Sequence, residues 1–210
     1  TEISEAVNKP IIHCTGLGWI KDGYLPDVSK IEAGDYIVMT KGAGIEGTAI
    51  LFSEKEKELQ NLLDQETINK GKQFWKMGSV FQEGKIALSF HPHALHDATE
   101  GGVLGAIWEV CAGRGLGFEI EEEKVLVYPE TRILAQLLNL DPLKLISSGT
   151  LIIFTPQPFA LLPALREVVP AEVIGKVKEN PAKVLIRQSG EREEIKECPQ
   201  DELWRIMQSA

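Results

Sequence analysis

Apolar residues fall into short blocks separated by glycine, proline and charged turns, and the period changes from block to block. "DYIVMT" (35–40) follows the turn at Gly34-Asp35 and predicts a buried strand. Apolar positions 45, 49–52, 59, 62 and 63 then predict a helix. It has an expected break near Ser53, which would cap a second helix. "TINKGKQFWKMGSVFQEGKIALSF" reads as mostly helical despite its glycines, and "HPHALHDATEGG" as a loop. The following helix, "VLGAIWEVCAGRG", carries 103, 104, 107, 110 and 111 on one face and ends at Gly113 and Gly115. "GFEIEEEKVLVY" alternates and predicts a strand pair or an extended arm, with "EIEEEK" as a solvated face. "PETRILAQLLNL" predicts a short helix with Pro129 in its first turn. "SSGTLIIFTP" and "AEVIGKVKEN" predict strands, with the helix "QPFALLPALREVVP" between them. "AKVLIRQSGEREEI" predicts a closing hairpin and "CPQDELWRIMQSA" a short amphipathic helix. The opening "PIIHCTGLGWI" reads as an exposed or pairing strand. Helices and strands mix without strict alternation or repeats. The fold class is therefore α+β, or layered α/β, with a mixed sheet packed by helices.

Composition narrows the function classes. The 210 residues are 43% hydrophobic and 25% charged, an ordinary globular mixture. With 31 acidic against 22 basic residues the net charge is -9, which argues against nucleic acid as a partner. An anionic ligand would have to be held locally, by amides, a helix N-terminus or a metal ion. No apolar run reaches the roughly 20 residues of a membrane span, and "TEISEAVNKP" is no signal peptide. The cysteines, Cys14, Cys111 and Cys198, are odd in number and far apart, which points to a reducing cytoplasm rather than a disulfide framework. Cys14 and Cys111 are expected as buried thiols, and Trp75, Trp108 and Trp204 as core or interface packing.

Two glycine-rich loops carry candidate chemistry. Gly42, Gly44 and Gly47 form G-x-G-x-x-G between a strand and a helix, the spacing of a dinucleotide turn. That fold also needs a second parallel strand ended by an acidic residue, where Asp64 and Glu66 would fall. The segment around them, "NLLDQETINKGKQFW", is polar and helix-like instead. A tight turn, with or without amides free for phosphate, is the other reading. Lys41 beside it would pair with a phosphate or simply be a solvated surface lysine.

The second loop is "HDATEGG" (96–102). Asp97 would cap the next helix or hold a metal ion. Gly101-Gly102 at a helix start costs about 1 kcal/mol per glycine relative to alanine, so backbone there must approach something closely. A carboxylate beside such a helix N-terminus suits Mg²⁺ with a phosphate. His91, His93 and His96 with Asp97 form H-x-H-x-x-H-D, a zinc-like spacing or a polar loop shaped by Pro92. His96 could instead approach a phosphate. Ser147, Ser148, Gly149 and Thr150 open a strand, where hydroxyls often satisfy backbone.

These segments resemble the aminoimidazole ribonucleotide (AIR) synthase-related, PurM-like superfamily. "HDATEGGVLGAIWEVC" resembles its D-A-T-x-G-G…E segment, and "GDYIVMTKGAGIEGTAIL" its strand, glycine turn and helix. "LDPLKLISSGTLIIF" and "AEVIGKV" resemble two of its strands, and "TEISEAVNKPIIHCTGLG" the last strand of its first domain. The likeness is nearest to the hydrogenase-maturation branch. It implies the C-terminal domain fold over 31–210, preceded at 1–30 by a terminal strand and linker from the N-terminal domain. It implies an ATP- and Mg²⁺-dependent enzyme that activates an amide-like or phosphate acceptor by phosphoryl transfer. By the same resemblance Asp97 and Thr99 are catalytic, with Asp97 the metal ligand. Gly42, Gly44, Gly47, His96, Gly101 and Gly102 take nucleotide phosphates, and Ser148, Gly149 and Thr150 line the acceptor side. Most of the family's metal-binding carboxylates belong to the N-terminal domain. The expected partner is therefore a second copy or a chain carrying that domain. The alternative is a catalytically incomplete dimerisation or partner-binding module.

Overall fold

The computed structural model describes residues 12–20 and 23–208. Seven strands form one sheet in the order β2-β4-β1-β5-β3-β6-β7. They are β1 (Tyr36–Thr40), β2 (Ala94–Asp97), β3 (Gly117–Glu121), β4 (Leu151–Thr155), β5 (Ala171–Lys178), β6 (Lys183–Ile186) and β7 (Arg192–Glu194). Every pairing is antiparallel except β3 with β6.

The central strands read as unbroken apolar runs because helices cover both faces of the sheet. On one face Ile37, Met39, Ile152 and Phe154 pack with Leu104, Ile107 and Cys111 of helix α5 (Gly102–Ala112). On the other, Val38 and Ile153 pack with Leu161, Leu162 and Leu165 of α7 (Pro158–Arg166) and Ala87 of α4 (Phe81–Leu88). Odd and even positions of β1 and β4 thus feed different cores, as the two-residue period requires. A third cluster joins α1 (Ile45–Glu54), α3 (Gln65–Lys72), α6 (Pro129–Leu138) and α8 (Glu202–Gln208) through Phe52, Ile68, Leu134 and Leu203. Among the described residues, no helix is long and apolar enough to cross a membrane.

The structure bears out some local expectations and corrects others. The segment after the glycine turn is helical at Gln65–Lys72, as its polar sequence predicts, and both neighbours of β1 run antiparallel to it. The parallel pair that a dinucleotide turn requires is missing, and that reading is excluded. The "HPHALHD" stretch is not all loop, since Ala94–Asp97 pairs with β4 as an edge strand. Ser53 does not cap a new helix. Its hydroxyl bonds back to the Ala49 carbonyl, and the break falls at Lys55, between α1 and the single turn α2 (Glu56–Leu59). After β3 the chain makes a 3-10 turn at Glu122–Lys124 rather than a second strand. Of the opening segment, 12–20 has no regular structure, and 1–11 lies outside the described residues. Cys14 is exposed, whereas Cys111 is buried as expected. Trp75 is largely exposed and Trp204 about half exposed, while Trp108 packs against the core.

Candidate functional site

Because β1 and β2 both run antiparallel to β4, the ends of β1 and β2 and the start of β4 lie at one edge of the sheet. That edge brings together the glycine turn, Asp97 and the Ser147–Thr150 turn. The turn organises the rest. Its Ser148 N–H donates to Glu46 Oε2 at 3.2 Å, and its Gly149 N–H donates to Asp97 Oδ1 at 2.9 Å. Two carboxylates, one from the first turn of α1 and one from the end of β2, are therefore held on adjacent amides. Asp97 and Glu46 are half-buried. Burial pushes the Asp97 carboxyl above the usual carboxylate range, and the Glu46 charge adds to the rise. The Gly149 N–H, His96 and Lys41 oppose it. Asp97 Oδ2 and Glu46 Oε1 accept no hydrogen bond from the described residues.

Glu46 is the site residue that sequence reasoning missed. Its signal was faint: an acidic residue just inside a helix N-terminus, two positions past a glycine in the left-handed region. Thr99 follows Asp97 on an exposed turn, with its N–H bonded to the Asp97 carbonyl and its own carbonyl to the Gly102 N–H. Thr150 is buried, and its hydroxyl donates to the Gly42 carbonyl at 2.7 Å. His96 is half-buried next to Asp97. Its Nδ1 lies 2.7 Å from the Asp97 carbonyl oxygen, and its Nε2 lies 3.8 Å from Glu109.

The glycines approach protein closely. A side chain at Gly47 would meet Leu145 at 2.4 Å, and one at Gly42 would meet the Tyr128 ring at 2.7 Å. The Gly44 N–H is donated to Ser147 Oγ at 2.6 Å, and the Gly47 N–H to the Ile146 carbonyl. Gly101 and Gly102 both adopt positive φ, and side chains there would strike Pro199 and the Leu143–Leu145 backbone. The Gly101 N–H is donated to Asp201 Oδ2 at 2.7 Å. These contacts account for the glycines and leave the amides of Gly44, Gly47, Gly101 and Gly102 engaged inside the chain.

Lys41 is not a surface lysine. It is buried with φ 53°, and its Nζ donates to the carbonyls of Met77, Ser79 and Gly149 at 3.0, 2.7 and 2.7 Å. It also pairs at 2.5 Å with Glu83, itself buried. The lysine thus ties the segment before α4 to the turn that carries both carboxylates. The three loop histidines diverge. His91 stacks edge-on against Tyr24, His93 turns to Asp35, and His96 to Asp97.

Comparison with known proteins shows the family and the fold. The chain is 30% identical over 179 residues to carbamoyl dehydratase HypE of Rhodobacter capsulatus, covering 82% of this chain and 50% of that protein. It is 28% identical over 193 residues to a putative hydrogenase expression/formation protein of Methanocaldococcus jannaschii, covering 89% and 55%. The crystal structure of Escherichia coli HypE, a hydrogenase maturation protein, is similar with a TM-score of 0.70 and 27% identity, over 90% of this chain and 57% of that one. The chain therefore spans about half the length of the curated relatives it matches. A family model described as AIR synthase related protein, C-terminal domain, matches residues 32–188, and the chain belongs to that family.

Proposed function

We propose that this chain is the acceptor-side domain of an ATP-dependent enzyme that activates an amide-like or phosphate acceptor by phosphoryl transfer, in the manner of hydrogenase-maturation proteins. The observation that carries this is the Glu46–Asp97 pair on the adjacent amides of Ser148 and Gly149. Two hard oxygen donors, each with one oxygen unengaged, fit a magnesium ion. When bound, the ion would neutralise phosphate charge. The chain's own part is to hold its ligands rigidly and to present Ser148, Gly149 and Thr150 beside them. Thr99, exposed on the turn after Asp97, and His96, half-buried beside it, are the groups this reading assigns to a phosphate. The glycines act through shape, because most of their amides are already used.

The site is open at this edge, and the reading requires a second domain or partner chain, such as a second copy, to close it. The chain alone should bind Mg-ATP weakly or not measurably by calorimetry. Micromolar affinity would contradict the requirement for that second part. A binding-module reading has an observation of its own. Ile12, Leu17 and Trp19 lie in an irregular segment with 85%, 93% and 94% of their surfaces exposed, as a docking segment would. A chain that assembles with a full-length relative's N-terminal half yet adds no ATP turnover would favour that reading.

A further inference from the structure

Asp35 lies just ahead of β1 and His93 just ahead of β2, at the sheet edge opposite the paired carboxylates. Asp35 is only 1% exposed. Its Oδ2 accepts from the Glu32 N–H at 3.1 Å and lies 2.8 Å from His93 Nδ1. Its other oxygen, Oδ1, is buried with no hydrogen-bond partner. One ligand atom each from Glu32, Asp35 and His93 lie within 4.8 Å of one another. Among the described residues, no lysine or arginine forms an ion pair with either carboxylate; His93 alone stands against Asp35.

A buried carboxylate oxygen without a partner costs about 1–3 kcal/mol or more. A protonated His93 would balance one of the two carboxylates and leave Oδ1 unsatisfied. A divalent cation would balance both and give the buried carboxylate a second partner. We propose that Glu32, Asp35 and His93 form a binding site for a divalent transition-metal ion of the zinc type. The donor set selects the metal class. An imidazole nitrogen with two carboxylates suits zinc and its neighbours, whereas magnesium prefers oxygen alone. Three protein ligands leave a fourth position for water.

The position gives the ion a structural task. The segment before β1 already reaches residues 92–93, through Tyr24 Oη to the Pro92 carbonyl at 2.5 Å and the Asp27 N–H to the His93 carbonyl at 2.9 Å. An ion held by Glu32, Asp35 and His93 would clamp that segment onto the start of β2. It would fix the path by which the chain enters the domain.

The test is a calorimetric and thermal-melt titration of the chain with zinc chloride, with magnesium chloride in parallel. His13→Gln and Cys14→Ser are built into the background, because that exposed pair would itself take up zinc. The expected result is one zinc per chain, a raised melting temperature and no comparable response to magnesium. Glu32→Gln and His93→Gln should each weaken zinc binding by at least about tenfold, the loss that changes one shell further out already cause. Glu32 is exposed, so its variant reports even where a change at His93 impairs folding. No zinc binding, or binding unchanged in Glu32→Gln, would overturn the proposal and leave a His93–Asp35 ion pair.

Discussion

Glu46 and Asp97 are bound to consecutive backbone amides, those of Ser148 and Gly149, although one comes from the first turn of α1 and the other from the end of β2. The Glu46 charge is one reason the Asp97 carboxyl titrates high. Glu46→Gln should therefore move the Asp97 titration downward, as read by carbon NMR of the carboxyl. An unmoved titration would show that the two groups are not electrostatically coupled.

The same shift sets a pH dependence of stability. The folded Asp97 carboxyl lies above the value of about 3.9 for an unfolded chain, so its neutral form favours the fold. That contribution is complete below about pH 3.9 and is lost as pH rises through the folded value. Asp97→Asn removes it, and difference melts against the parent chain should diverge over that acid window and level off above it.

Lys41 and Glu83 are 7% and 2% exposed and pair at 2.5 Å. Lys41→Met strands a buried carboxylate and three carbonyls, and denaturant unfolding should show a loss of about 3–5 kcal/mol. A second change, Glu83→Leu, should recover a good part of it. Strict additivity of the two would contradict the coupling.

Asp201 uses both carboxylate oxygens, one for the Gly101 N–H at 2.7 Å and one for the Leu203 N–H at 2.8 Å. Asparagine offers one acceptor and turns an NH₂ toward the other donor. Asp201→Asn should therefore destabilise nearly as much as Asp201→Ala, about 2–3 kcal/mol. At Asp97 only Oδ1 is engaged, and asparagine should be tolerated by the fold.

Much of the fold was legible because β1 and β4 are covered on both faces and read as apolar runs. Strand β2 was not, because "ALHD" pairs on one side only and carries three half-exposed residues behind Pro92. The glycines announced close approach correctly, but not what approaches: at Gly47 it is Leu145, and at Gly101 it is Pro199. Asp97 could be picked out from its loop. Glu46 could not, because its meaning depends on a bond to a residue 102 positions away. Lys41 was misjudged for the same reason. Lysine is almost never fully buried unless paired, and its partners lie 36 to 108 positions along the chain.

The most direct test of the central claim is ATP turnover by Asp97→Asn and Glu46→Gln, with the chain joined to the N-terminal half of a full-length relative. Asparagine and glutamine keep the hydrogen bonds from Gly149 and Ser148 but are poor ligands for a hard cation. The account predicts turnover lower by about 10²-fold in each, roughly 3 kcal/mol of transition-state stabilisation, at a melting temperature no lower than that of the parent. Near-normal turnover in either variant would contradict the assignment of that carboxylate as a ligand of the catalytic metal.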